Sequence, residues 1–223
     1  MSPFAGSWPT KAGSTTKLRP DQSDGCERAF PCPTSLIVKT SRVQILFIAL
    51  AFFLSATSIW ADLTIGQDYQ ISTVDVDGNA LSTADGHLIT VVLCSKANID
   101  KARLIGDRSP DFCLGNPVYR MITIISFETK HRAPMRAVIK SVIRHRLDLE
   151  GRHLQTRYDQ LKIARDARRD VFAAADFDGT ITKQLGAEPA ADLFRIFVFG
   201  KNGELIKEWS EVPSAEQLAA TLK

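Results

Sequence analysis

The apolar positions of the chain form short runs and longer periodic stretches, which predict alternating strands and helices. Apolar runs predict strands at 87–94, 119–128 and 169–177. The first run is rich in β-branched residues, and the first two strands are expected to be buried. Helical spacing of apolar residues predicts a helix over 95–106 that ends at Gly106. A long helical pattern follows over 133–169, and Gly151 is expected to break or kink it. This alternation predicts a core of parallel strands.

Hairpin signals flank this region on both sides. Segment 69–82 alternates polar and apolar residues around an Asp-Gly pair, which predicts an edge hairpin. Near the C-terminus, runs 193–199 and 203–209 are joined by a Lys-Asn-Gly turn, which predicts antiparallel strands. The last element is a helix over 214–223, with Ser214 as its N-cap.

The N-terminal part of the chain has a different composition. Residues 1–35 are rich in Pro, Ser, Thr and Gly and lack a periodic apolar pattern, which predicts a disordered leader or a mis-called N-terminal extension. In 36–61, two basic residues precede the apolar core 45–54, and small residues follow up to Ala61, which is typical of a signal peptide. A membrane anchor is the alternative, although the apolar core is shorter than a span of about 20 residues.

Cleavage after the signal would leave a domain of residues 62–223 in the periplasm or outside the cell, and an uncleaved signal would anchor it to the membrane facing the periplasm. This domain holds 22 Lys+Arg and 22 Asp+Glu, so its charge is balanced. Residues 130–169 are locally basic, with 12 Lys+Arg against 4 Asp+Glu. We interpret them as a solvated helix face; the alternative is a docking surface for an acidic partner or anionic lipid.

Two ligand classes are disfavoured in this basic stretch. Tyr158 is its one aromatic residue that could stack on bases, so we expect no nucleic acid partner. Its histidines, at positions 131, 145 and 153, do not have the i, i+4 spacing of a helical zinc site, so we expect no metal.

Three segments carry a family resemblance: "VDVDGNALSTADG" before the first core strand, "FAAADFDGTITKQLGAEP", and "FRIFVFGKNGELIKEWSEVPSAEQLAATL". Over about residues 65–223 the chain resembles the thioredoxin-like superfamily in its redoxin or TlpA-type variant. The resemblance implies an α/β fold, a three-layer α/β/α sandwich with a central mixed sheet and an N-terminal β-hairpin. It also implies a Cys-x-x-Cys pair at the start of the helix after the first core strand. Here Asn98 and Lys101 are the residues expected at those positions, and the family's cis-proline directly before the later strand is missing, although Pro189 lies near that loop.

These departures favour an exported, redox-silent thioredoxin-fold protein that acts as a binding or accessory module for a protein or peptide and needs no cofactor. The first alternative is a thiol-disulfide oxidoreductase that uses Cys94, with Cys113 as the resolving residue, because an exported protein meets oxidising conditions.

A second alternative comes from "VFAAADFDGTIT" at 171–182, which resembles the nucleophile loop of haloacid-dehalogenase-type phosphatases. That resemblance implies that Asp176 attacks phosphorus and Asp178 acts as acid/base beside Mg²⁺. No later strand ends in the acidic pair that such an enzyme needs, which favours a plain turn at Asp178-Gly179.

The position of the signal predicts the true start of translation. Signals normally begin at the N-terminus, so we expect translation to start near Leu36 or Val38, whose codons can serve as bacterial starts. N-terminal sequencing of the precursor checks this expectation, and a precursor that begins at Met1 would contradict it.

Overall fold

The central element is a five-stranded sheet in the order β5-β4-β3-β6-β7. The computed structural model describes residues 62–223, and the predictions for 1–61 lie outside the described residues. The strands are β3 (Leu88–Ser95), β4 (Tyr119–Ser126), β5 (Phe172–Asp176), β6 (Phe194–Phe199) and β7 (Leu205–Trp209). Strands β3, β4 and β5 run parallel, whereas β6 and β7 add antiparallel strands, as the alternating pattern and the terminal hairpin predict.

Helices and a hairpin cover the two faces of this sheet. The helices are α1 (Ile99–Arg108), α2 (Ala133–Gln160), α3 (Thr180–Gln184) and α4 (Ala215–Thr221), and the hairpin strands are β1 (Ser72–Val74) and β2 (Ala80–Ser82). Helices α1, α2 and α4 supply side chains to the core on one face, while the hairpin and the segment around α3 supply those on the other. The fold is therefore a thioredoxin-like α/β sandwich with a central mixed sheet and an N-terminal hairpin, as the resemblance implies. Within 62–223, no helix has the length and apolarity to cross a membrane.

The C-terminal elements form as their local sequence predicts. Gly203, with a φ of 90°, lies in the turn between β6 and β7, where the Gly200 N–H donates to the Glu204 carbonyl at 2.8 Å. Ser214 caps α4 in a full capping box, because its hydroxyl accepts from the Gln217 N–H and the Gln217 side chain accepts from the Ser214 N–H.

Other elements differ from the sequence-based predictions. The hairpin does not extend an edge of the main sheet; it forms its own two-stranded sheet, and Leu81 packs into the core against the sheet face. Helix α1 continues past Gly106 to Arg108 and ends before Ser109-Pro110. The long helical pattern ends at Gln160, and a 3-10 turn over Ala167–Asp170 leads into β5.

The prediction that Gly151 breaks or kinks the long helix is wrong. Helix α2 runs without interruption through this residue, which is buried. A Cβ atom at Gly151 would lie 3.0 Å from the Cα, Cβ and Cδ atoms of Arg168. The glycine therefore serves close packing, because it lets the 3-10 turn before β5 approach the helix backbone.

We expect Gly151→Val to destabilise the fold by about 1–3 kcal/mol, since the added methyl groups must displace the Arg168 backbone. The measurement is urea unfolding of the variant and of the original protein. Ala137→Val is the matched control, because Ala137 is exposed on the same helix and the change there costs helix propensity alone, under about 1 kcal/mol. Equal stabilities of the two variants would contradict the packing role of Gly151.

Candidate functional site at the carboxyl edge of the sheet

The junction after β3 is tied to the segment before β6. Strand β3 ends at Ser95, a 3-10 turn covers Lys96–Asn98, and α1 begins at Ile99. The Ser95 hydroxyl donates to the carbonyl of Ala191 at 2.6 Å, and its N–H donates to the carbonyl of Leu193 at 2.9 Å. The Asn98 side-chain amide also donates to the Leu193 carbonyl, at 3.2 Å. The junction therefore holds two polar side chains that satisfy the carbonyls of the facing segment.

Asn98 and Lys101, which the resemblance predicts at the positions of the two thiols, lie at the start of α1. Asn98 directly precedes α1, and Lys101 lies in its first turn. The Lys101 ammonium is 5.3 Å from the centre of the Phe194 ring, which allows a cation–π contact. Neither side chain can form or exchange a disulfide, so this position offers hydrogen-bond donors and positive charge.

Cys94 is enclosed by the sheet. It has no exposed surface, and its neighbours in the register are Ile125 on β4 and Phe194 on β6. Burial raises the pKa of the Cys94 thiol to about 12. Because the thiolate is the reactive form of cysteine, Cys94 is held in its unreactive, protonated form at neutral pH.

Cys113 lies at the other end of the sheet. It closes a 3-10 turn, Asp111–Cys113, shortly before β4 begins at Tyr119. Tyr119 pairs with Leu88 at the start of β3, six residues before Cys94, so about 20 Å of strand separates the two regions. A disulfide needs Cα atoms within about 7 Å, and both cysteines are free. The structure does not bring the predicted pair together, and burial raises the pKa of Cys113 to about 11.

Asp176 is a buried anchor for the short helix α3. It ends β5 with 2% of its surface exposed. Its Oδ2 atom accepts from the N–H and from the hydroxyl of Thr182, both at 2.7 Å. The Thr182 oxygen is also 2.9 Å from the hydroxyl of Ser126, which ends β4. This carboxylate oxygen is already bound inside the fold, so it is not presented for attack on a phosphate.

Asp178 belongs to the turn that starts α3. Its carboxylate accepts from the Thr180 N–H at 3.3 Å, and hydrogen bonding from the Thr180 side chain lowers its pKa below the usual range. Gly179 has a φ of 73°, and a Cβ there would lie 2.9 Å from Pro189 Cγ. Residues 176–180 thus form a tightly packed turn in which the Asp178 carboxylate accepts from the Thr180 N–H. Among residues 62–223, no group of three His, Cys, Asp or Glu side chains is placed to hold a metal ion.

An aromatic cluster beside this turn was not identified from the sequence. The rings of Phe127 and Phe177 stack with centroids 5.0 Å apart, and His131 packs edge-on against Phe127 at 5.3 Å. The Arg136 guanidinium lies 5.2 Å from the centre of Phe177. Phe127 and Phe177 each follow directly after a strand end, so their equivalent positions on adjacent parallel strands were the available signal.

The chain is similar to known proteins in structure but not in sequence. Neither a family model nor a curated protein matches the chain. It is similar to the crystal structure of a DsbF homologue from Corynebacterium diphtheriae, with a TM-score of 0.44 and 12% identity over 76% of this chain and 93% of that one. For the exposed lipoprotein thioredoxin Etrx1 from Streptococcus pneumoniae, the TM-score is 0.41 and the identity 15%, over 70% and 98% of the two chains. For StoA from Bacillus subtilis, the TM-score is 0.41 and the identity 11%, over 71% of this chain and 99% of that one.

The sheet order and the junction together define the class of this domain. It is a thioredoxin-like α/β domain in which an amide and an ammonium side chain follow the first core strand, and in which Cys94 and Cys113 are free and distant.

The buried thiol predicts a loss of stability at alkaline pH. Between about pH 9, the usual thiol pKa, and pH 12, the Cys94 thiol ionises in the unfolded chain but stays protonated in the folded one. The unfolded state then binds fewer protons, so the free energy of unfolding falls as the pH rises. We expect Cys94→Ala to reduce this fall, measured by urea unfolding between neutral pH and about pH 10. Cys113→Ala should reduce it by a similar amount up to about pH 10, because burial also raises the pKa of that thiol, to about 11. An unchanged pH dependence in Cys94→Ala would contradict the assignment.

Proposed function

We propose that the protein is an exported thioredoxin-fold module that binds a protein or peptide and does not exchange disulfides. The observation that supports this most directly is the enclosure of Cys94, whose thiol is fully buried and has a pKa raised to about 12. A dithiol oxidoreductase instead needs an accessible thiolate at the start of a helix with a second thiol close by.

The rival oxidoreductase function would require two rearrangements of the fold. The β3–β6 pairing would have to open to expose Cys94, and Cys113 would have to move along most of the length of β3. Opening a central strand disrupts the core on both of its faces, which costs a large part of the stability of a domain. The binding function needs neither rearrangement.

Export is proposed from the sequence alone. Residues 36–61 have the order of a basic region, an apolar core and small residues that a secretory signal uses. The domain would then act in the periplasm or outside the cell, or at the membrane surface if the segment is retained as an anchor.

An insulin-reduction assay with dithiothreitol tests the redox part of this proposal. We expect the purified full-length protein to leave the rate at the level of dithiothreitol alone, and Cys94→Ser and Cys113→Ser to change nothing, because neither thiol is available. A typical thioredoxin serves as the positive control. Turnover that disappears in Cys94→Ser would overturn the proposal in favour of an oxidoreductase.

Counting reactive thiols is a second test of the redox part of the proposal. In a background that carries Cys26→Ser and Cys32→Ser, the remaining thiols are Cys94 and Cys113. We expect both to react slowly with a thiol reagent in the folded protein, with Cys94 the slower because its burial is complete. Both should react at once in denaturant, whereas a rapidly reacting Cys94 in the folded protein would contradict its enclosure.

A further inference from the structure

Helix α2 has an exposed apolar stripe along its outer face. Met135, Val138, Val142 and Leu149 are 51%, 58%, 50% and 47% exposed. Their spacing of three, four and seven residues places them on one side of the helix. With a rise of 1.5 Å per residue, this stripe is about 21 Å long.

The outer stripe is distinct from the face with which α2 joins the core. Ile143, Leu147, Gly151 and Tyr158 are the buried residues of the helix, and they lie on its opposite side. Helix α2 therefore has two apolar faces, and within residues 62–223 one of them packs against the core. An exposed apolar surface that the fold does not use commonly marks an interaction site.

The spacing of the stripe is that of a helix–helix seam. His145 falls between Val142 and Leu149, so positions 135, 138, 142, 145 and 149 alternate steps of three and four residues, as in a coiled coil. A seam with this spacing fits one partner helix whose apolar residues have i, i+3, i+4 and i+7 spacing.

Charge along α2 defines the chemistry of that partner. The acidic residues nearest the stripe are already paired within the fold, Asp148 with Arg168 at 2.8 Å and Glu150 with Arg103 at 3.3 Å. Arg146 is exposed beside the stripe and makes no ion pair with any residue of 62–223. The free charge along the seam is therefore positive, and it complements carboxylates.

We propose that the outer stripe of α2, formed by Met135, Val138, Val142 and Leu149, binds an acidic amphipathic helix of a partner protein. The proposal rests on the binding function proposed above and identifies the surface and the partner chemistry. Binding would place the partner's apolar residues along the seam and its carboxylates opposite Arg146.

A second copy of this chain fits the surface less well. Pairing two α2 helices would bring two basic faces together, because each carries an Arg146 that has no ion-pair partner within residues 62–223.

The test uses a designed probe and the full-length protein. The probe is a labelled helical peptide of three heptads, about 21 residues, with Leu at the seam positions and Glu at the flanking ones. We expect fluorescence anisotropy to show micromolar binding that weakens with added salt, and a loss of affinity of about tenfold or more in Val138→Glu. Val74→Glu is the matched control, because Val74 is also 58% exposed but lies on the hairpin; it should leave binding unchanged.

Charge reversal gives a gain-of-binding test. Arg146→Glu should weaken binding of the acidic peptide and strengthen binding of a matched peptide with Lys in place of Glu. Circular dichroism verifies that Val138→Glu and Arg146→Glu remain folded, which is expected because both positions are exposed.

Other outcomes would overturn the docking proposal. These are the absence of peptide binding, binding that Val138→Glu does not weaken, a dimer of the protein that Val138→Glu abolishes, and co-sedimentation with phosphatidylglycerol vesicles in place of peptide binding. Insulin reduction is an independent readout. A protein that reduces insulin yet binds the peptide at the seam refutes the redox-silent function alone, and one that does neither refutes the docking proposal alone.

Discussion

The position of β3 at the centre of the sheet constrains the rest of the molecule. It is hydrogen-bonded to β4 along one edge and to β6 along the other, and every residue from Ile89 to Ser95 is buried. A strand in this position must be apolar on both faces, which explains its continuous run of β-branched and aliphatic residues. Cys94 is the last apolar residue of that run. It fills space as a small hydrophobic side chain, and the sheet that buries it also suppresses its ionisation.

Polar residues begin where the three parallel strands end. Ser95, Ser126 and Asp176 end β3, β4 and β5 on the same edge, where open α/β sheets usually bind ligands. Here their side chains hydrogen-bond within the fold, to Ala191 and Thr182. Buried polar groups need such partners, so these bonds fix the segment from α3 to β6 over the edge. The hydroxyls and the carboxylate at this edge are therefore occupied by hydrogen bonds within the fold. A binding site on another surface is consistent with this arrangement.

A second set of contacts fixes the hairpin and α2 beside each other. Asp75 is buried, and its Oδ1 atom accepts from the N–H groups of Asp77 and Asn79 at 2.9 and 2.7 Å. This turn presents Asp77 to Arg168, at 2.7 Å, and Arg168 also binds Asp148 on α2. These charges form a network around one guanidinium. Such a network contributes more to stability than isolated exposed ion pairs do. The close approach of Arg168 to α2 is what requires glycine at position 151.

The parts of this structure that follow from local sequence could be predicted, and those that depend on distant segments could not. The core strands, the Gly203 turn and the Ser214 cap arise from nearby residues, and each forms as its pattern indicates. The prediction of a helix break at Gly151 was wrong. In sequence, a glycine that lets a distant segment of the chain approach cannot be distinguished from one that breaks a helix. The assignment of Asn98 and Lys101 to the positions of the two thiols stays a prediction. The separation of Cys94 from Cys113 follows from the strand register, which the sequence does not display.

Helix α2 contains adjacent apolar residues, such as Val142 and Ile143, whose side chains face in different directions. Neighbouring residues on a helix point about 100° apart, so Val142 and Ile143 cannot both face the core. Ile143 is 6% exposed and Val142 is 50% exposed. At such an outer position valine gains little from packing and has a lower helix propensity than lysine or glutamate. Burial against a second helix, as proposed for this face, would be an environment in which Val138 and Val142 contribute favourably to stability.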